Sequence, residues 1–365
     1  MALIKINNKS LDGNYGRRNI IINGAMSVAQ RNTSVTGVGA TAGYFTCDRW
    51  KIETNGTAGR ATMSQTADVH DGFANCLKLD CTTADTSIGA SELFQISYKI
   101  EGQDLQRLKK GTSSAESFTV SFYTKASGSF TFGLEAYDND NDRQMTKLFA
   151  TTTDWVRHEL TFPADTTGLL DDNTGQSFFL SFWLHSGSNF KSGTLGTSFA
   201  SSTNGNRAAG IDSFFSSTDN NFFLTGVQME VGDTATEFEH RSSGEELMLC
   251  QRYCFVMTRN GSSSNQNVGV GYFASATGAE TYTKFPTTMR TTPTASASPI
   301  GEFYALVPLT GWQQASGMGL NEAGNDGAKL GWTVSSNGSF GTDGRRGTHV
   351  GMRGDNAKLK FDAEL

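Results

Sequence analysis

Apolar and polar residues alternate with period two through much of the first two-thirds of the chain. Phe118, Val120 and Phe122 are separated by Thr119 and Ser121; Phe130, Phe132, Leu134 and Ala136 by Thr131, Gly133 and Glu135; Val156, His158, Leu160 and Phe162 by Arg157, Glu159 and Thr161. Each run predicts a half-buried strand. Ala126-Ser-Gly-Ser129, Asp138-Asn-Asp-Asn-Asp142 and the Gly/Ser/Thr/Asn tract between Ser186 and Asn221 supply the turns. With no helical pattern between these strands, a two-sheet sandwich is favoured over a parallel α/β sheet. In the run Phe178 to Leu184, one face carries Phe178, Leu180, Phe182 and Leu184 and the other Phe179, Ser181 and Trp183. That strand is either buried on both sides or presents Phe179 and Trp183 as a saccharide platform.

Glu245 to Met257 breaks the period. Leu247, Cys250, Cys254 and Met257 recur at the a/d spacing of a coiled-coil seam, and Gly244 with Glu245-Glu246 suits a helix N-terminus. A helix of roughly three turns is not stable alone. It predicts either a connector lying on its own sandwich or a seam around a three-fold axis.

A second β region follows the polar loop 260–267. Val268, Val270 and Tyr272 alternate with Gly269 and Gly271, and Leu359, Phe361, Ala363 and Leu365 alternate with Lys358, Lys360, Asp362 and Glu364. The chain is therefore expected to stop inside a strand. Gly/Asn/Ser-rich stretches around Trp312 and Trp332 predict long loops on a small β domain, and Trp312, Trp332 and Tyr304 are candidate receptor contacts.

The chain has 365 residues, which makes two domains the natural expectation. Gly numbers 41 and Pro 5, a balance that suits short strands with tight turns. A net charge of −6 without a Lys/Arg cluster provides no electrostatic footprint for nucleic acid. No apolar run reaches transmembrane length and the first residues lack a secretory pattern, so membrane insertion and export through a leader are not expected. Five irregularly spaced cysteines are expected to be reduced.

Catalytic signatures are absent: there is no nucleophile elbow, no His-Glu-x-x-His, no phosphate-binding glycine loop and no dinucleotide fingerprint. A binding protein rather than an enzyme is expected, although two suitably placed carboxylates among 36 Asp and Glu would suffice for a glycosidase. Asp138, Asp140 and Asp142 offer oxygen ligands at alternate positions, which fits either a structural Ca2+ or an Asx-rich hairpin turn without metal. It is not an EF-hand, since Arg143 and Phe149 stand where Gly and Glu would be needed. Cys250 and Cys254 have no third and fourth metal ligand beside them and read as buried small apolar residues.

Residues Phe222 to Tyr253, FFLTGVQMEVGDTATEFEHRSSGEELMLCQRY, carry a more specific signal. They resemble the segment closing the carbohydrate-binding-module-like jelly roll of many bacteriophage tail fibre and tailspike proteins, with Met229 in place of Leu and Cys254 in place of a second Tyr. Asn19-Ile-Ile-Ile-Asn-Gly-Ala-Met26, Gln30-Arg31, Asp48-Arg49-Trp50, Phe285-Pro-Thr-Thr-Met-Arg290 and Phe361-Asp-Ala-Glu-Leu365 fit the same family. The resemblance implies an all-β chain: an N-terminal virion-docking arm (1–18), a jelly-roll sandwich (19–240), a connector or trimerisation helix (244–257) and a C-terminal β recognition domain (258–365). It also implies a homotrimer, a phage tail or adaptor protein that holds the arm, and a host surface glycan or envelope component as receptor. The protein would be made in the host bacterial cytoplasm and carried on the virion. A capsid-attached fibre or decoration protein and a surface-polysaccharide depolymerase are the rivals. Depolymerising tailspikes resemble long β-helices, for which this chain has no repeat.

Overall fold

The structure, a computed structural model, describes residues 17–259, 266–307, 311–334 and 347–365. The arm expected over residues 1–18 lies almost wholly outside the described residues. Two compact units meet in sequence between Ser242 and Ser243.

The first unit contains β1 (Ser34–Val38), β2 (Gly43–Tyr44), β3 (Trp50–Asn55), β4 (Arg60–Thr66), β5 (Cys76–Thr83), β6 (Leu93–Glu101), β7 (Phe118–Ala126), β8 (Thr131–Asp138), β9 (Arg143–Ala150), β10 (Val156–Phe162), β11 (Gln176–Ser186), β12 (Ala200–Ser201) and β13 (Asn221–Val231). A six-stranded sheet runs β1-β4-β5-β13-β7-β10 and a seven-stranded sheet β12-β9-β8-β11-β6-β3-β2. Strands β5 to β8 go alternately to one sheet and the other, as do β10, β11 and β13, which makes this a jelly-roll-like sandwich rather than two meanders.

Alternation builds the core. Phe178, Leu180, Phe182 and Leu184 on β11, and Phe94, Ile96, Tyr98 and Ile100 on β6, point inward and are buried. Phe182 meets Phe122 of β7 edge-on, with centroids 5.1 Å apart and planes at 86°, a preferred aromatic geometry. All five cysteines are buried and none is in a disulfide. Burial pushes the Cys76 thiol up to about 12.

The motif that closes the first unit works as a clasp. Gly226 sits at φ 62° beside a bulge in the β13–β7 ladder, and a Cβ there would lie 2.7 Å from Phe73 and 2.8 Å from Tyr123, so only glycine fits. Asn19 Oδ1 accepts from the Met229 amide at 3.0 Å, and its Nδ2 donates to the Val227 carbonyl at 3.2 Å. Glu239 accepts from the amides of Arg17 and Asn19 at 2.7 and 2.8 Å. Arg241 reaches the carbonyls of Ile21 and Asn19.

The second unit holds a helix (Ser243–Gln251) and strands β14 (Cys254–Thr258), β15 (Gln266–Phe273), β16 (Gly278–Lys284), β17 (Thr294–Ser298), β18 (Phe303–Val307), β19 (Gly311–Ala323), β20 (Gly327–Val334), β21 (Gly347–Met352) and β22 (Lys358–Asp362). Strands β15-β16-β20-β19-β18-β21 close into a barrel, and β14-β22-β17 form a separate sheet. Leu359, Phe361 and Ala363 are buried as the alternation predicts, but β22 ends at Asp362 and Leu365 is half-buried, so the strand expected to continue to residue 365 stops short of it. Among the described residues, no helix is long and apolar enough to cross a membrane.

Three sequence expectations are corrected here. The helix expected through Met257 ends at Gln251, and Cys254 and Met257 lie on β14, paired with β22. Leu247 and Cys250 are therefore not on one helical seam with Cys254 and Met257. Tyr253, Cys254, Phe255 and Val256 are strand-favouring types, and an available ladder partner overrides the helical spacing. The second correction concerns Trp312 and Trp332, which lie on strands β19 and β20 rather than long loops; Gly317, Gly319, Gly327 and Gly331 around them are themselves residues of these paired strands. On β15, a register shift between Asn267 and Gly269 breaks the expected alternation, so Val268 is buried while Val270 stands exposed.

Burial between the sheets lowers the His158 pKa from 6.5 to about 4, and Thr124 Oγ1 lies 2.8 Å from its Nε2. Between those pH values the unfolded chain takes up a proton that the folded ring refuses, so stability falls as pH drops through the window and is unaffected by this residue above it. Calorimetry of wild type and His158→Gln from pH 7 to 4 should give a shallower decline of Tm for the variant. Equal slopes would contradict the assignment.

Candidate functional site

The outer face of the seven-stranded sheet is ordered by strand register. Lys99 of β6, Phe179 of β11, Tyr137 of β8 and Gln144 of β9 form one row across it. Lys51, Ser97, Ser181, Glu135 and Thr146 form the next, and Glu53, Gln95, Trp183 and Gly133 a third. The same period-two pattern that buries phenylalanine inward therefore lays polar groups and a few aromatics outward.

One side of this face is covered by the segment between β11 and β13. Arg207 donates from Nε and Nη2 to both oxygens of Glu135, at 2.7 and 2.9 Å. Its guanidinium lies 4.9 Å from the Tyr137 ring centroid and 5.2 Å from that of Trp183. Trp183 Nε1 donates to Glu135 Oε2 at 2.9 Å, and its ring packs with Phe190, Ala208 and Ile211. The buried carboxylate thus has a bidentate cation and an indole donor, the satisfaction that a buried charge requires. Glu135 keeps the guanidinium charged, raising the Arg207 pKa against its own desolvation.

The uncovered side is a groove of about 280 Å³, lined by Glu53 to Asn55, Leu93, Gln95, Ser97, Lys99, Gln176, Phe179, Ser181 and Arg207. Phe179 stacks on Tyr137 with centroids 4.6 Å apart and planes at 11°. Ser181 Oγ donates to Ser97 Oγ at 3.1 Å, which leaves the Ser97 hydroxyl hydrogen for another acceptor. Gln95 is only 4 % exposed, yet its amide has no hydrogen-bond partner among the described residues. The amide reaches the groove, where water or a ligand can bond to it. Lys51 pairs with Glu53 at 2.7 Å and Lys99 approaches it at 3.6 Å; burial, and then Lys51, lower the Lys99 pKa.

A second concavity, of about 510 Å³, lies on the barrel around Val270, Tyr272, Glu280, Tyr282, Glu322, Asp326 and Lys329. It is larger, and its charged groups are mostly bonded to neighbouring side chains, while the Tyr282 hydroxyl stays open. Tyr272 donates to Glu280 at 2.5 Å, Asn321 to Glu280 at 3.1 Å, Lys329 to Glu322 at 2.7 Å and Thr288 to Asp326 at 2.6 Å. In the sheet groove an aromatic ring (Phe179), an amide (Gln95) and a hydroxyl with a hydrogen to give (Ser97) converge, and on that ground we take it as the site.

The sequence candidates are dispersed. Phe179 lies in the groove, whereas Trp183 is sealed beneath the covering segment. Trp332 is buried in the barrel against Phe303 at 5.3 Å and donates to Thr281 Oγ1 at 2.9 Å, so it offers no face to a ligand. Tyr304 and Trp312 are half-buried together, with the Arg353 guanidinium 5.4 and 5.2 Å from their rings.

Asp138, Asp140 and Asp142 do not converge on one point. The Lys110 ammonium occupies the cation position on buried Asp138, whose Oδ1 also accepts from the amides of Asp140 and Asn141 at 3.1 Å. Asp140 accepts from the Asp171 amide at 2.9 Å and Asp142 from the Tyr137 hydroxyl. The turn is thus an Asx turn locked by a lysine. Gln95, Ser97, Lys99 and Glu53 were not singled out from the sequence, although Phe94-Gln-Ile-Ser-Tyr-Lys-Ile100 alternates as cleanly as any run in the chain.

No protein-family profile matches the chain, and no curated protein matches it. Among solved structures, a family 4 carbohydrate-binding module is similar at 14 % identity and TM-score 0.30, covering 57 % of this chain and 97 % of that one. A family 61 module in complex with β-1,4-galactotriose is similar at 10 % identity and TM-score 0.30, covering 59 % and 99 %. A family 11 module from Clostridium thermocellum in complex with a β-1,3-1,4-mixed-linked tetrasaccharide is similar at 12 % identity and TM-score 0.27, covering 57 % and 98 %. At such TM-scores the likeness carries no weight for fold or ligand, which rest on the strands and side chains above.

Removing the Arg207 cation would leave Glu135 charged and buried. Arg207→Met should cost the first unit about 3–5 kcal/mol in denaturant unfolding, and adding Glu135→Gln should recover most of it. A loss below about 1 kcal/mol would mean that the pair is solvated like a surface bridge.

Proposed function

We propose that the first unit binds a saccharide chain along the sheet groove, and that the protein is a phage tail fibre whose adhesion to a host surface glycan this groove supports. The unpartnered Gln95 amide in a groove floored by hydroxyls and bordered by Phe179 carries the reading. Sugars present an apolar ring face ringed by hydroxyls, which matches a stacked aromatic beside amide, hydroxyl and charged groups. Glu53 is the one carboxylate at the groove that is not committed to Arg207, and it is paired with Lys51. This groove therefore assembles no acid and base pair for glycoside hydrolysis.

The virion reading rests on the Phe222 to Tyr253 segment and its companion blocks, together with an arm before Asn19 that would dock to a tail or adaptor protein. Assembly as a homotrimer is part of the same reading. Its support is the exposed pair Leu247 and Met248 on the second unit's helix, since adjacent apolar side chains on a short helix favour coverage. Light scattering should give three times the 39.3 kDa chain mass; a monomer at micromolar concentration would remove the trimer.

Recognition is tested by screening the purified protein against bacterial surface polysaccharides and titrating the best binder. Phe179→Ala and Gln95→Ala should each weaken binding at least tenfold, about 1.4 kcal/mol, while Tyr282→Ala on the barrel leaves it unchanged. Reducing ends should not accumulate. Loss of binding in Tyr282→Ala alone would move the site to the barrel, and sustained release of reducing ends would make the protein a depolymerase.

A further inference from the structure

Outside the groove, the structure gathers a second set of chemically distinctive side chains. Asp85 on the loop between β5 and β6, Glu92 immediately before β6, and His185 near the end of β11 each place a ligand atom within 4.8 Å of the others. His185 is wholly buried and Asp85 nearly so, while Glu92 keeps a partial opening to solvent. No lysine or arginine pairs with either carboxylate among the described residues. Two carboxylates in hydrogen-bond contact with each other thus stand beside an imidazole without a lysine or arginine paired to either.

Each donor is also held from behind. Asp85 Oδ2 accepts from Thr57 Oγ1 at 2.7 Å and from the Ala58 amide at 2.8 Å. His185 Nδ1 lies 2.7 Å from Ser213 Oγ, which directs Nε2 toward Glu92 Oε2, 3.4 Å away. The backbone of Glu92 is tied to Gly89 and Gly187 at 3.2 and 2.8 Å. Outer partners that fix ring and carboxylate orientation are the usual support of metal ligands. Two donors sharing a tetrahedral ion stand roughly 3.3–3.6 Å apart, given ligand bonds of about 2.0–2.2 Å, and the His185–Glu92 separation of 3.4 Å lies in that range.

We propose that Asp85, Glu92 and His185 bind one divalent transition-metal ion of the zinc class, with water completing the shell, and so tie the 84–92 loop to the end of β11. An imidazole among three ligands favours such an ion over Ca2+ or Mg2+, which prefer all-oxygen shells. Leu93, next to Glu92, lines the groove, so the ion anchors one end of that groove. The site stands whether or not the groove binds sugar.

Full-length protein freed of metal by chelator and dialysis should bind one Zn2+ per chain in calorimetric titration, more tightly than Ca2+ or Mg2+, with a rise in Tm. Substituted Co2+ should show visible d–d bands without the near-ultraviolet thiolate-to-cobalt band, which separates this site from the buried cysteines. His185→Gln, Asp85→Asn and Glu92→Gln should each weaken Zn2+ at least tenfold. Glu92 is partly exposed, so its variant is expected to fold, as circular dichroism would verify. Failure of the wild-type protein to bind Zn2+, a thiolate band with Co2+, a preference for Ca2+, or undiminished Zn2+ binding in folded Glu92→Gln would each overturn the proposal.

Discussion

Strand β11 has to satisfy two different surroundings at once, and the rest of the first unit follows from how it does so. Residues two apart share a face, so Phe178, Leu180 and Phe182 fill the core while Phe179, Ser181 and Trp183 face outward. Its neighbour β6 obeys the same rule with Phe94, Ile96 and Tyr98 against Gln95, Ser97 and Lys99. A slip of one residue between them would drive glutamine and lysine inward and phenylalanine outward. The hydrophobic demand of the core thereby fixes the register of the groove, and the outward side chains acquire their positions from packing that they take no part in.

That outer face is not uniform. The segment after β11 covers half of it through the Arg207–Glu135–Trp183 cluster, where every charged group has a partner. The other half keeps Gln95 unbonded and Ser97 with a hydrogen to give. Covered and open halves have the same backbone. What separates them is whether donors are satisfied within the protein or are left open to the groove, where a ligand can bond to them.

The fold was largely legible in the sequence because its strongest signals are local. Period-two runs identify strands without knowledge of their partners, and the closing motif is readable because Gly226, Asn19, Glu239 and Arg241 each meet a stereochemical demand that few other residues fulfil. The C-terminal unit was less legible for the opposite reason. Cys254 and Met257 follow helical spacing, yet pairing with β22 decides their structure, and that partner lies about a hundred residues away in sequence. Trp312 and Trp332 stand among glycines that suggest loops, although those glycines lie on β19 and β20, whose pairing partners decide their structure. The site was half legible. Phe179 could be named from its strand, but the covering of Trp183 by Ala208 and Ile211, the lysine on Asp138 and the meeting of Asp85 with His185 are all long-range events.

The central claim is that the uncovered half of the seven-stranded sheet, and not the barrel, receives a saccharide. A crystal structure of the protein with an oligosaccharide from the polysaccharide it binds decides this most directly. The account predicts a sugar ring against Phe179, with a hydroxyl bonded to the Gln95 amide. An oligosaccharide seated instead on Tyr282 and Glu280 of the barrel, with the sheet groove holding only water, would contradict it.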